Sequence, residues 1–382
     1  MNSFLSFRGV PFGIFFSLCV FRSAMFGQDA RQNRFTVEAY FRGDSTLLNA
    51  YDVNELTHVC YSFLHLSGNR LSIRSRKDSV DILSLTSLKE RYPGLKILLS
   101  LGGWGGCRTC SEVFGSDSGR SQFAQSALDV LREYRADGLD LDWEYPAVEG
   151  YPGHPYSAND RHNFTLLAQK LREVFGTRYE ITIAAGATSL CLSQSIEWSA
   201  VMPYVDRIHL MTYDFTNGFS RVTGHHTPLY STPEQHESTD NAVRFLDSVG
   251  VPNSKIVIGL AFYARAWANV PDTNNGLYQP GTFLRYVGYK DFGGFFGKDS
   301  AFTYHWDSTA QAPFRYSGTN RTFATFDDKN SITMKVRYAV EHHLAGVMFW
   351  ELSEDTVRNG LLDAIARELH SLNRPARNDQ AR

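Results

Sequence analysis

Cysteine is scarce, five in 382 residues. Cys107 and Cys110 make one Cys-x-x-Cys, and no second pair stands at zinc-binding spacing, which argues against a structural zinc module. Neither sign of charge dominates. The 38 Lys and Arg nearly balance 40 Asp and Glu, so no global basic field directs the chain to nucleic acid or to an anionic membrane. Beyond Val20 no apolar run is long enough to span a bilayer. There is no internal repeat and no low-complexity linker. No glycine fingerprint follows the first strand-like segment, which disfavours a dinucleotide-binding doubly wound sheet.

Aromatic residues, by contrast, make up 14% of the chain, a proportion that suits a sugar-binding surface and an ordinary large core equally. The N-terminus has the pattern of a cleavable export signal over residues 1–27. Arg8 supplies the charge, Val10 to Val20 the apolar run, and Ser23, Ala24 and Gly27 the small residues before Gln28. An uncleaved anchor is the competing reading. Export would place the protein outside the cell or in the periplasm and permit a small loop disulfide between Cys107 and Cys110. That reading is preferred to a redox role, because the pair follows a glycine-rich segment instead of opening a helix after a strand.

Strand-like and helix-like segments then alternate. Eight strands are expected at Phe35–Tyr40, Leu56–Phe63, Leu95–Ser100, Gly138–Glu144, Tyr179–Ala185, Arg207–Tyr213, Lys255–Phe262 and Gly346–Trp350. The clearest helical patterns are Ser121–Arg135, Asp160–Phe175, Thr239–Ser248, Ser331–His343 and Thr356–Ser371, with Asp160 and Ser331 as expected N-caps. Eight strand–helix units over about 340 residues predict an α/β fold, a (β/α)₈ TIM barrel, over 28–266 and 327–373. From 267 to 326 the helical period disappears and glycine, asparagine and aromatics dominate, which predicts a small α+β insertion domain between the seventh strand and its helix. Residues 374–382 are polar and are expected to fray.

The segment Asp137-Gly-Leu-Asp140-Leu-Asp142-Trp-Glu144 carries the chemistry. With a side-chain period of two, Asp140, Asp142 and Glu144 share one face of a strand, and Leu139, Leu141 and Trp143 share the other. The carboxyls then point into the barrel and climb toward its C-terminal mouth. Three acids in a partly buried row repel one another, so they are expected to share protons, with Glu144 at the strand end as general acid. A calcium or magnesium site is the competing reading. The EF-hand glycine and helix pair are missing, and no metal and no cofactor are expected. A solvated charge stripe is the other, and strict alternation with Leu and Trp argues against it. His225-His226 read as a structural or cleft-edge pair, since adjacent loop residues rarely converge on one ion.

These residues resemble the signature of glycoside hydrolase family 18, the chitinases and their relatives. Lys96–Gly103, Met211–Asp214, Phe262–Arg265 and Val347–Glu351 are similar to further strand segments of that family, in order, although glycine is commoner where Ala264 stands. The interval 267–326, with Tyr304-His-Trp306-Asp307, resembles its insertion domain. The resemblance implies that Glu144 protonates the glycosidic oxygen, and that Asp142 orients the substrate's acetamido group and shares a proton with Asp140. Tyr213 would bond the acetamido carbonyl, Asp214 would contact the sugar, and Trp350 would floor the site. Tyr40, Phe63, Met211, Tyr263 and Arg265 would line the cleft, with Gly103, Trp104 and Tyr145 completing the binding set. Tyr40 and Phe63 serve equally well as caps on the barrel core, and Met211 as core filler.

The spacing adds its own argument. Paired glycosidase carboxylates usually flank the sugar from different strands, whereas acids two residues apart fit attack by the substrate's own acetamido oxygen. The implied partner is chitin or another β-1,4-linked N-acetylglucosamine chain, hydrolysed with retention by an enzyme expected to act as a monomer. An endo-β-N-acetylglucosaminidase acting on glycans is the nearer alternative, and a non-catalytic chitin-binding lectin the more distant one.

Overall fold

The structure is a computed structural model, and it describes residues 35–297 and 301–372. The expected export signal and the polar tail at 374–382 lie outside those residues. Among the described residues no helix is long and apolar enough to cross a membrane.

Among the described residues fourteen strands form two sheets, and eight of them close the barrel. In chain order the strands are β1 (Thr36–Phe41), β2 (His58–Ser67), β3 (Arg70–Ser72), β4 (Lys96–Gly102), β5 (Gly138–Asp142), β6 (Glu180–Gly186) and β7 (Arg207–Met211). There follow β8 (Ile256–Ala261), β9 (Tyr263–Ala268), β10 (Thr282–Gly288), β11 (Thr303–Asp307), β12 (Ala312–Ser317), β13 (Thr322–Phe326) and β14 (Gly346–Trp350). The barrel runs β1-β14-β8-β7-β6-β5-β4-β2 and closes through parallel β1–β2 pairing. β3 pairs antiparallel with the end of β2. The predicted barrel is therefore the observed one.

Alternation divides each barrel strand between two environments. Leu139, Leu141 and Trp143 belong to the apolar layer between sheet and helices. Inside the barrel lies a smaller cluster of Tyr40, Cys60, Leu98, Ala184, Met211, Val257 and Met348. Burying so many Val, Ile, Leu and Phe side chains in the outer layer, each worth roughly 1.5–3 kcal/mol, leaves the interior free to hold polar groups.

Two expected N-caps are corrected. The helix Lys329–Glu341 is capped by Asp328, and Ser331 is the third helical residue of a reciprocal capping box. The helix Asp160–Phe175 has Asn159 at its cap position. Asp160 is its first residue, and its carboxylate accepts from Ser157 N at 2.7 Å and Ser111 Oγ at 2.9 Å. The helix expected from Ser121 begins at Asp117, where the Ser116 side chain accepts from Gly119 N.

The second sheet has the order β10-β9-β13-β12-β11 and is antiparallel throughout. Its first strand starts at Tyr263, four residues ahead of the expected boundary. Its own core holds Trp267, Val270, Leu277, Phe314, Tyr316 and Phe323. Lys335 and Asp327, both fully buried, join it to the barrel. Asp327 accepts from Ala261 N at the end of β8, and the Lys335 ammonium also donates to Thr227. That ion pair, with all three ammonium protons used, satisfies the requirement for burying a charge.

Candidate active site

The barrel's C-terminal mouth gathers the acidic strand. Asp140 and Asp142 sit on β5, 0% and 3% exposed. β5 ends at Asp142, so strand alternation does not extend to Glu144, which takes a left-handed backbone (φ 45°). The carboxyl nevertheless returns to Asp142, within hydrogen-bonding reach. Cβ atoms at Gly102 and Gly150 would fall 2.2 and 2.0 Å from the carbonyl oxygens of Asp142 and Glu144, so both loops need glycine to approach this turn.

The three acids have different environments. Asp140 accepts from Ser100 Oγ (2.7 Å), Thr182 Oγ1 (2.7 Å) and Tyr40 Oη (3.0 Å), with His209 Nδ1 at 3.3 Å. Burial alone would raise its pKa, but His209, Ser100 and Thr182 outweigh that and hold it below the usual range. Asp142 has no such donors, and its Oδ1 is unpartnered. Burial, then Glu144 and Asp140, pushes it well above the ordinary value. Glu144 is pushed up to about 7 by burial and by Asp214, against opposing contacts from Tyr145 and Asp142. Burial thus favours a proton on the Asp142 and Glu144 carboxyls, while Asp140 is held as an anion by its donors.

Across the site, Asp214 (φ 60°) is held by Tyr263 Oη at 2.7 Å and by both forks of the Arg265 guanidinium. Burial would raise its pKa; His226 and Arg265 lower it strongly. Asp214 is an anchored anion. Among the described residues the Tyr213 hydroxyl makes one long hydrogen bond, 3.9 Å to Met348 Sδ, so it is available to a ligand. Trp350 stacks on Phe63 at 5.6 Å and 14° and meets Tyr40 at 5.9 Å with the rings tilted by 53°, forming an aromatic floor. Gly103, at φ 75°, lets Phe63 approach, since a Cβ there would lie 2.3 Å from its ring. Trp104 is 48% exposed and meets Tyr151 and Phe219 at 5.5 and 6.3 Å.

Two expected cleft residues lie deep, at the base of the mouth, in the cluster against which Tyr145, Tyr213 and Trp350 pack. Tyr40 is 2% exposed and acts on Asp140 from below. Met211, 8% exposed, packs in the interior cluster. Both follow from the packed interior of an eight-stranded barrel. Tyr145 lies against Gly186, and Tyr263 is buried between Tyr213, His226 and Tyr286. His225 pairs with Asp307 at 3.0 Å, and His226 faces Asp214 at 3.7 Å, so they serve two different anions. Among the described residues no group of three or more His, Cys, Asp or Glu side chains is arranged to hold a metal ion. Cys107 and Cys110 are joined in a disulfide just beyond the Trp104 loop.

Sequence reasoning missed Ser100, Thr182, His209 and Glu38. The available signal was parity: each is an inward position of its barrel strand, at the level of the acids or one layer below.

A barrel mouth with buried carboxyls of raised pKa, set over stacked aromatic rings, suits a glycoside hydrolase. The chain belongs to the glycosyl hydrolases family 18, whose model matches residues 29–355. It is 36% identical over 309 residues to Chitinase A1 of Niallia circulans, a match covering 74% of this chain and 44% of that protein. Among solved structures it is similar to a family 18 N-acetylglucosaminidase from Paenibacillus barengoltzii, with TM-score 0.79 and 36% identity over 88% of this chain and 100% of that one. A Group IV chitinase from Ostrinia furnacalis has TM-score 0.81 and 28% identity, covering 88% and 100%.

If Glu144 is the general acid, its burial sets a pH dependence. A general acid works only while protonated, and burial raises this carboxyl to about 7. Turnover is expected to fall as pH rises through about 7. A kcat profile flat to pH 9 would contradict the assignment.

Proposed function

We propose that this protein hydrolyses β-1,4 linkages in chitin or chito-oligosaccharides with retention of configuration, using the substrate's acetamido oxygen as nucleophile. Glu144 protonates the departing oxygen and later activates water. The proton it delivers is the one shared with Asp142, which is left as a carboxylate, accepts from the acetamido N–H and stabilises the positive charge that develops there. Tyr213 bonds the acetamido carbonyl, and Trp350 supports the reacting sugar's apolar face. Residues 1–27 direct export, and the mature enzyme acts outside the cell or in the periplasm as a monomer.

The observation that carries this reading is the placing of Glu144 against Asp142 at the end of β5, where burial raises both carboxyls. A conventional retaining glycosidase needs a second, free carboxylate across the sugar. The remaining carboxyl facing Glu144 is Asp214, already engaged by Arg265 and Tyr263. A lectin-like role is disfavoured by the intact acid, and an activity on glycoprotein glycans by the presence of the insertion sheet.

Product analysis on N-acetylglucosamine oligomers of defined length is the direct test. Cleavage of the hexamer to dimers and tetramers is expected for internal attack. Release of monomer from one end would identify an exo enzyme, a reading favoured by the likeness to the Paenibacillus N-acetylglucosaminidase. No cleavage of any oligomer would overturn the proposal.

A further inference from the structure

Beneath Asp140 the barrel interior holds charges that the reaction scheme leaves unused. His209 on β7 and Glu38 on β1 are both fully buried. His209 Nε2 lies 3.0 Å from Glu38 Oε2, and Nδ1 lies 3.3 Å from Asp140 Oδ1 and 3.0 Å from Tyr40 Oη. Below them Arg207 reaches within 4.0 Å of Glu38 and pairs with Glu180, which also meets His58 and Lys96. From the floor upward the charges alternate: Arg207, Glu38, His209, Asp140.

Proton counting gives the imidazole its charge. Each ring nitrogen faces a carboxylate oxygen. Nε2 stands nearest Glu38, and Nδ1 stands between the Tyr40 hydroxyl and Asp140, so a ring protonated on both nitrogens sets a positive charge between two carboxylates. The arrangement is consistent when both nitrogens carry protons, Tyr40 accepting from Nδ1 and passing its own proton to Asp140.

We propose that Glu38 and His209 are a positioning pair for the reaction: Glu38 keeps His209 doubly protonated, and the imidazolium keeps Asp140 anionic, so that a proton stays with Asp142 and Glu144. Neither residue touches substrate. The inference rests on the assignment of Asp142 and Glu144 above, and extends it to the opposite end of the barrel.

The other groups around His209 support the balance. On β2 are His58 and Cys60, on β5 Asp140 and Asp142, on β6 Glu180, and on β7 Arg207. β8 and β14 contribute no titratable side chain. Burial would strip the proton from His209, yet Glu38 and Asp140 outweigh it and raise the ring to about 9. Burial would likewise raise Glu38, and His209, His58 and Arg207 hold it low.

Glu38→Gln removes the anion while keeping the shape. His209 then loses a proton, and the charge lost nearest Asp140 is positive. Asp140 is protonated at higher pH, and the acidic limb of the kcat profile moves up. On that limb kcat should fall about tenfold, the worth of one pH unit, with KM little changed. His209→Asn should move the limb the same way, and Glu38→Gln added to it should move it no further. A purely structural role would lower thermal stability and leave the limb in place.

A second measurement needs no turnover. In ¹⁵N-histidine-labelled protein, the resonances absent from His209→Asn belong to His209. Both nitrogens should be protonated at pH 7.5 in the parent protein, and only one in Glu38→Gln. A neutral ring in the parent, or additive limb shifts in the double variant, overturns the proposal. If Glu144 were not the acid, the profiles would lose their meaning while the resonance result would stand, so the two failures are distinguishable.

Discussion

Glu144→Gln should lower turnover on N-acetylglucosamine oligomers by about 10³ or more, the usual upper range for a positioned acid, while oligomer binding survives. Glutamine occupies the same space and can still hydrogen-bond Asp142, but it has no proton to give the leaving oxygen. The effect should be large because the site has no substitute. Asp140 is committed to Ser100, Thr182, Tyr40 and His209, and Asp214 to Arg265 and Tyr263. Asp142 sits lower, at the end of β5. The measurement pairs kcat on a defined oligomer with a dissociation constant from titration of the variant. Near-parental turnover would remove Glu144 from the mechanism. A parent protein that binds oligomers without cleaving them would instead favour the lectin reading.

Much of this site was legible in the sequence because a strand has a period of two. Asp140 and Asp142 could be placed inside the barrel, and Leu139, Leu141 and Trp143 outside, from alternation alone. Glu144 shows where that logic ends. It was assigned to the same face by counting, but it lies beyond the strand in a left-handed turn whose direction depends on Gly102 and Gly150. A period cannot show such a turn.

The insertion was visible as a loss of helical period, but its start was not. Ile256 to Ala268 is an unbroken β-rich run, and the chain changes sheets at Phe262 without a glycine or proline to mark it. The consequence is functional, since β9 carries Tyr263 and Arg265, the groups that hold Asp214. The insertion sheet therefore contributes directly to the site. Excising 269–325 would also strip Trp267 of its packing partners, making that deletion a poor probe of the cleft. The Glu38–His209 pair was hidden for another reason: its members are distant in sequence and meet only through barrel closure.

Tyr213→Phe should lower kcat by roughly one to three decades, by analogy with removing one oriented donor from a developing charge, and the fold should be unchanged. Among the described residues the Tyr213 hydroxyl has the Met348 thioether, at 3.9 Å, as its hydrogen-bond partner, so phenylalanine leaves no strong buried donor or acceptor unsatisfied. Burial, Asp142 and Glu144 all raise the phenol's pKa, so it remains a donor across the working range. If it holds the acetamido carbonyl for attack on the anomeric carbon, two further results must accompany the loss. The first-formed product, read by NMR before mutarotation, should be the β-anomer. Oligomers with glucosamine at the reacting position should resist cleavage, because an ammonium has no oxygen with which to form the new bond. An initial α-anomer would mean direct attack by water, and the distance between Glu144 and an opposing base would then need explanation. Efficient cleavage of the deacetylated oligomer would require a carboxylate nucleophile. Asp214 would have to leave Arg265 and Tyr263 to serve, and Arg265→Met should then speed the reaction instead of slowing it.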